Sequence, residues 1–175
     1  MRKLFRFISV AALTLSAGAS FALERVNAFD DWSVYTADGP KECWIVSAPL
    51  SVENTRGGKK VTVNRGDILI QVTWIPSQNV VGEVSYSSGY QLKNPGQDPV
   101  KLQIGSSVFE LVADGEYAWP ANADIDTQIR VAMTRGKNAV ITGTSERSET
   151  NTKDLFSLKG FTAALKDAKE RCNVS

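Results

Sequence analysis

The chain has 175 residues with 20 basic and 19 acidic side chains, so it lacks the concentrated positive field that nucleic-acid binders carry. It contains no histidine, which excludes Ser-His-Asp and Cys-His catalysis, histidine-based zinc sites and the usual general base near neutral pH.

Residues 1–22 read as a removable export signal. Arg2, Lys3 and Arg6 form a basic start, Ile8–Leu15 is a short apolar run, and Ser20-Phe21-Ala22 fits a small-residue cleavage site, with Ala17-Gly18-Ala19 as the alternative. The apolar run is shorter than the about 20 residues a spanning helix needs. An uncleaved amphipathic anchor is the competing reading. Cleavage after Ala22 removes three of the 20 basic side chains and leaves 17 against 19 acidic ones, a net charge of −2 over residues 23–175. That length suits a single domain that can bury about two-thirds of its unfolded surface. The two cysteines, Cys43 and Cys172, form an even set in an oxidising compartment, which favours a disulfide; two free thiols or an intermolecular bridge are the alternatives.

Along the mature chain, Leu23–Asp30 is polar and reads as loose. Trp32–Thr36 alternates as a strand and ends at the turn signal Ala37-Asp38-Gly39-Pro40. Glu42–Ser47 is a second strand, and the two make a hairpin. Ser51–Asp67 holds Arg56, Gly57, Gly58, Lys59, Lys60, Arg65 and Gly66 and reads as a solvated connection, with Val61-Thr62-Val63 as a short edge strand. A basic loop that contacts an anionic partner is the functional reading of that stretch, although Glu53 and Asp67 weaken its field.

Ile68–Ile75 is the clearest strand, because Ile68, Ile70, Val72 and Trp74 share one face. Val80–Tyr86 and Val100–Ile104 alternate in the same way. Gly105-Ser106 turns the chain into Val108–Val112, and Asp114-Gly115 turns it again towards Tyr117–Pro120. A helix follows, capped by Asn122 or Asp124, with Ile125, Ile129, Ala132 and Met133 on one stripe and Gly136 as its stop. Asn122, Asp124 and Asp126 mimic a calcium loop. However, Thr127 stands where that loop needs glycine and Met133 where it needs a bidentate glutamate, so capping is the better account. Ala139–Thr144 and Leu155–Leu158 are strands around the polar stretch Ser145–Lys153. From Gly160 the period becomes helical, with Phe161, Ala164, Leu165, Ala168 and Cys172 on one stripe. A Cys43–Cys172 bridge would then pin that stripe against the second strand.

The sequence contains no Ser-x-x-Lys, no Gly-x-Ser-x-Gly and no phosphate-cradling glycine motif. A carboxylate pair of the glycosidase kind is defined by spatial separation, so a sequence leaves it open. Arg147, Thr150, Thr152 and Asp154 form the most prominent polar cluster. They read either as a partner-gripping patch at a hairpin tip, or as turn-satisfying groups in which Arg147 pairs with Asp154 across the hairpin. The four tryptophans read as core and rim fillers rather than a sugar platform.

With those residues in view, the chain resembles the invasion-associated locus B family of exported bacterial proteins. The likeness starts with Asp31–Val34 and Cys43 and resumes at Gly89-Tyr90, Phe109–Leu111, Gly115 and Ala118-Trp119. It is densest in Met133–Gly136, Thr144-Ser145, Arg147, Thr150, Thr152, Asp154, Phe156–Leu158 and Gly160–Ala164. One departure stands in the polar turn, where Ser148-Glu149 replace the glycine that usually follows the arginine. The resemblance implies an all-β, immunoglobulin-like sandwich in the periplasm or envelope, linked in some pathogens to host-cell invasion. It supplies no catalytic residue, cofactor or metal. The expectation is therefore a non-enzymatic protein, with a short helix after Trp119 and a C-terminal helix, that binds an unknown protein partner in the envelope or on a host cell. The alternatives are a periplasmic binder or inhibitor of a small ligand or enzyme, and a carboxylate-pair hydrolase.

Overall fold

A computed structural model describes residues 24–37, 39–93, 96 and 98–174. The leader expected over residues 1–22 and Asp38 of the first turn lie outside the described residues. Within them the chain forms twelve strands and two helices. The strands are β1 Glu24–Phe29, β2 Trp32–Ala37, β3 Glu42–Ser47, β4 Ser51–Arg56, β5 Lys59–Lys60, β6 Leu69–Ile75, β7 Val80–Ser87, β8 Val100–Ile104, β9 Ser107–Asp114, β10 Tyr117–Pro120, β11 Asn138–Thr144 and β12 Asn151–Ser157. The helices are α1 Ala123–Arg135 and α2 Phe161–Arg171. No described helix is long and apolar enough to cross a membrane.

Hydrogen bonding runs unbroken through one antiparallel ladder, in the order β1-β2-β3-β6-β7-β10-β9-β8-β11-β12-β4-β5. Four strands lie between β7 and β12 in that order, yet Tyr86 on β7 meets Phe156 on β12 edge to face at 6.3 Å. The ladder has therefore curled until its two halves face each other. The result is the expected all-β, sandwich-like fold. Period-two alternation explains which face turned inward: Ile70, Val72 and Trp74 on β6, Val84 and Tyr86 on β7, and Leu102 and Ile104 on β8 are all buried.

Two helices close the core. Asn122 caps α1 by accepting from the Asp124 and Ile125 amides at 3.1 and 3.0 Å, and Ile129 and Met133 enter the core. α2 lays Phe161, Ala164 and Ala168 inward, with Phe161 edge-on to Trp32 at 4.9 Å. The indole Nε1 of Trp32 donates to the Ser157 carbonyl at 3.0 Å, fixing β2 beside the end of β12. Gly160 makes the corner into α2 with φ +89, and a Cβ there would land on the Phe29 carbonyl, so only glycine fits. Cys43 and Cys172 are bonded, with their Cα atoms 6.0 Å apart.

Three sequence expectations require correction. The supposedly loose start is strand β1, because Val26 and Phe29 pack against the core while its backbone pairs with β2. Val61–Val63 is not the edge strand; the edge pair is β4 with Lys59–Lys60. The Ser51–Asp67 stretch is no solvated connection. β4 pairs with β12, and the following segment carries Arg65 into the interior.

The disulfide closes a loop of sequence separation 129. Unfolding in urea with and without reductant, or of Cys43→Ser with Cys172→Ser, should show a loss of about 3–5 kcal/mol, from the chain entropy of so long a loop.

Candidate functional site

The site of greatest chemical interest starts from the parity of β12. Thr152, Asp154 and Phe156 share one face, and all three are buried, as is Thr150 just before the strand. Asp154 is wholly buried, its carboxylate facing the opposite half of the sandwich. The chain between β5 and β6 supplies its counter-ion. Arg65 Nη1 donates to Oδ1 at 2.7 Å and Nη2 to Oδ2 at 2.6 Å. The Tyr86 hydroxyl donates to Oδ2 at 2.5 Å. Arg65 also donates through Nε and Nη2 to the Ser88 carbonyl at 2.9 and 2.7 Å, and its guanidinium lies 4.9 Å from the Tyr90 ring centroid. The Tyr90 hydroxyl is 2.7 Å from that of Thr152.

Backbone geometry holds the arginine in place. The Gly66 amide donates to the Gly89 carbonyl at 2.8 Å. Gly89 has φ +70, and a Cβ there would stand 2.7 Å from Gly66 backbone atoms. Any other residue at Gly89 would push the Arg65 segment off the sheet.

Electrostatics follow from this enclosure. Burial pushes the Tyr86 phenol far up, and the Asp154 charge adds to the shift. Burial likewise raises Tyr90, against its Thr152 hydrogen bond and the nearby Arg65 charge. For Arg65 burial alone acts downward, but the hydrogen bond to Asp154 and the neighbouring groups outweigh it and leave the guanidinium above its ordinary range. Two buried charges are tolerated here because the pairing is bidentate and other donors and acceptors satisfy the remaining positions. The same saturation limits the chemistry. Both carboxylate oxygens are occupied, and Asp154 has no exposed surface while the Arg65 side chain keeps only 4%, so the carboxylate is not presented to a substrate as a base or nucleophile.

The sequence-marked residues divide accordingly. Thr150 accepts from Arg56 Nε and Nη2 at 3.1 and 2.8 Å and sits 2.8 Å from the Ser148 hydroxyl. Thr150, Thr152 and Asp154 are buried, and of the four only Arg147 is exposed, in the turn. The expected Arg147–Asp154 pair is therefore overturned: Asp154 faces inward on β12 and Arg65 already holds it. Sequence reasoning missed Arg65, Tyr86 and Tyr90. The available signal was the period-two step back from Phe156 to Asp154, which puts a carboxylate inside and so requires a buried cation.

A second polar feature lies on the outer side of β8, β11, β12 and β4. Lys101, Thr142, Lys153 and Glu53 stand opposite one another in register across these four strands. With Asp98 and Asn151 they line a cleft of about 280 Å³, and the Thr144 hydroxyl lies within hydrogen-bonding distance of Asp98 Oδ2 and Asn151 Oδ1, with one proton to share between them. Among the described residues, no three Cys, Asp or Glu side chains converge as a metal ion would need.

Two measurements test this geometry. Asp154→Ala leaves a buried guanidinium uncompensated and should cost about 3–5 kcal/mol in urea unfolding, while adding Arg65→Met should recover part of that loss. In alkali the sign runs against the fold. Below the ordinary phenol value of about 10, folded and unfolded chains both hold the Tyr86 proton; above it only the unfolded chain ionises. Stability should then fall by up to about 1.4 kcal/mol per pH unit for this phenol. Melting curves from pH 8 to pH 11.5 should show the decline, and Tyr86→Phe should lessen it, leaving the part that the raised Tyr90 phenol contributes.

No protein-family model matches the chain, and no curated protein matches it in sequence. Among solved structures, it is similar to the crystal structure of invasion associated protein b from Bartonella henselae. The TM-score is 0.54 and the identity 16%, over 85% of this chain and 96% of that one. At that identity the likeness shows a shared fold.

Proposed function

We propose that this protein is an exported, envelope-associated, non-enzymatic component that acts by binding another protein. The observation that carries the proposal is the closed state of Asp154, whose two oxygens are taken by Arg65 and Tyr86 inside the sandwich. The best-equipped cluster for chemistry is thus spent on holding the fold, which leaves surfaces for function. The Cys43–Cys172 disulfide supports an oxidising compartment, in keeping with the leader read over residues 1–22. The fold shared with invasion associated protein b and the Phe-Ser-Leu-Lys-Gly-Phe-Thr-Ala-Ala string of residues 156–164 both support placing the chain with the invasion-associated locus B proteins.

A second reading has one observation in its favour. The cleft between β8 and β4 brings Glu53, Lys101 and Lys153 together with hydroxyl and amide groups, which suits a small polar ligand carrying both signs of charge. Native mass spectrometry of the protein purified from its own cells separates the two readings, since a bound small molecule would favour the second.

The leading reading predicts that the chain recovered from the envelope begins near Leu23 by mass. It also predicts that formaldehyde treatment of intact cells yields a discrete adduct with another envelope protein. Recovery of the chain with residues 1–22 attached, or of no adduct above an untreated control, counts against it.

A further inference from the structure

The outward side of half the sheet has a composition that stability does not explain. In the contiguous run β2-β3-β6-β7-β10-β9, the outward positions are those alternating with the buried ones. Neither helix lies over them, since α1 and α2 send Ile129, Met133, Phe161 and Ala164 into the core on the other side. Antiparallel sheets with one solvated face usually present polar residues there. This face instead carries a stacked pair, Tyr35 on Trp44 with centroids 5.9 Å apart, and a second aromatic pair, Tyr117 and Trp119, at 5.7 Å. Val112 stands opposite Trp119 and is 47% exposed, while Tyr117 is 46% exposed.

The charges are equally one-sided. The outward charged side chains of these six strands are Glu42, Glu83, Glu110 and Asp114; none is Lys or Arg, and none of the four forms an ion pair with a described residue. Basic residues border the face, as Arg25 opposite Tyr35 on β1, Lys101 opposite Glu110 on β8 and the exposed Lys41 beside Glu42 in the turn before β3.

We propose that this face docks a basic protein surface, one whose aliphatic or aromatic patch covers the ring pairs while its Lys and Arg side chains meet the four carboxylates. The two ring pairs flank the middle strands, where Trp44, Thr73 and Glu83 stand in one register row; aromatic side chains are enriched at protein interfaces, and charges of one sign select a partner of the other. A glycan fits less well. The Tyr35 and Trp44 rings are inclined by only 7°, so they spend their faces on each other, and the unpaired acids call for cations. The inference rests on the protein-binding function proposed above and names its surface.

Site-specific photo-crosslinking in the native envelope tests it. The crosslinking residue is placed at Gln71 or Val112 on this face, and at Gln103 or Lys153 on the other half. Adducts are expected from the first pair only, joined to partner peptides that carry Lys or Arg. Their yield should fall at least five-fold in the variant Glu42→Gln, Glu83→Gln, Glu110→Gln, Asp114→Asn at unchanged melting temperature, and also fall with added salt. Adducts from Gln103 or Lys153 alone would overturn the surface and leave the protein-binding function standing. Adducts with a second copy of this chain, or a yield indifferent to the four neutralisations, would overturn the basic partner. No adduct from any position would overturn both.

Discussion

The structure turns on one buried pair, Arg65 with Asp154. A single ladder of twelve strands has one apolar face and nothing but itself and two short helices to bury that face against. It must curl, and the place where it meets itself is where β7 touches β12. The ion pair sits at that meeting point. Slipping β12 by one residue would turn Lys153 and Leu155 inward and Asp154 outward, leaving Arg65 desolvated and unpaired. Apolar packing alone penalises such a slip through Leu155 and Phe156 changing places; the stranded guanidinium adds several kcal/mol more. The pair therefore acts on register more than on net stability, because its own Coulomb gain is largely offset by desolvation.

Covalent and backbone constraints act on the same problem from the other end. The disulfide joins β3 to the end of α2, and Trp32 joins β2 to the last residue of β12. The Gly160 corner presses the start of α2 onto the end of β1, and Gly89 presses the Arg65 segment onto the end of β7. Two of these contacts, Trp32 with Ser157 and the Gly160 corner against Phe29, tie the β1-β2 margin to the end of β12 and so fasten the curl there. Hydrogen bonds between neighbouring strands could not do this, since they are indifferent to how far the sheet rolls.

Much of this was legible in residue alternation. The inward runs of Ile70, Val72 and Trp74, and of Leu102 and Ile104, follow from period two, as does the helical stripe that delivers Cys172. Trp44 lies outward for the same reason that Cys43 lies inward. What stayed hidden was pairing at a distance. Glycines and lysines around Arg65 signal solvent locally, and only Asp154, 89 residues later, gives that arginine a reason to be buried. Strand β1 was missed because its apolar residues, Val26 and Phe29, fall out of period across a bulge between Arg25 and Asn27. The hairpin-tip reading of Thr150, Thr152 and Asp154 failed through a misplaced boundary. Extending the alternation of Phe156 and Leu158 backward would have drawn them inside.

The division between a saturated interior and an unsatisfied exterior bears on function. Inside, each charge of the Asp154 cluster has a partner. Outside, on β2 to β9, four carboxylates face solvent with no base among them, and two aromatic pairs remain half covered. Like charges on one face repel and weaken the compact state slightly, and exposed rings invite association. Of the four acids only Glu110 has a basic register partner, Lys101 on β8; the other three do nothing evident for strand pairing or core packing. On the docking proposal made for this face, a cationic protein partner would relieve both the repulsion and the exposure at once.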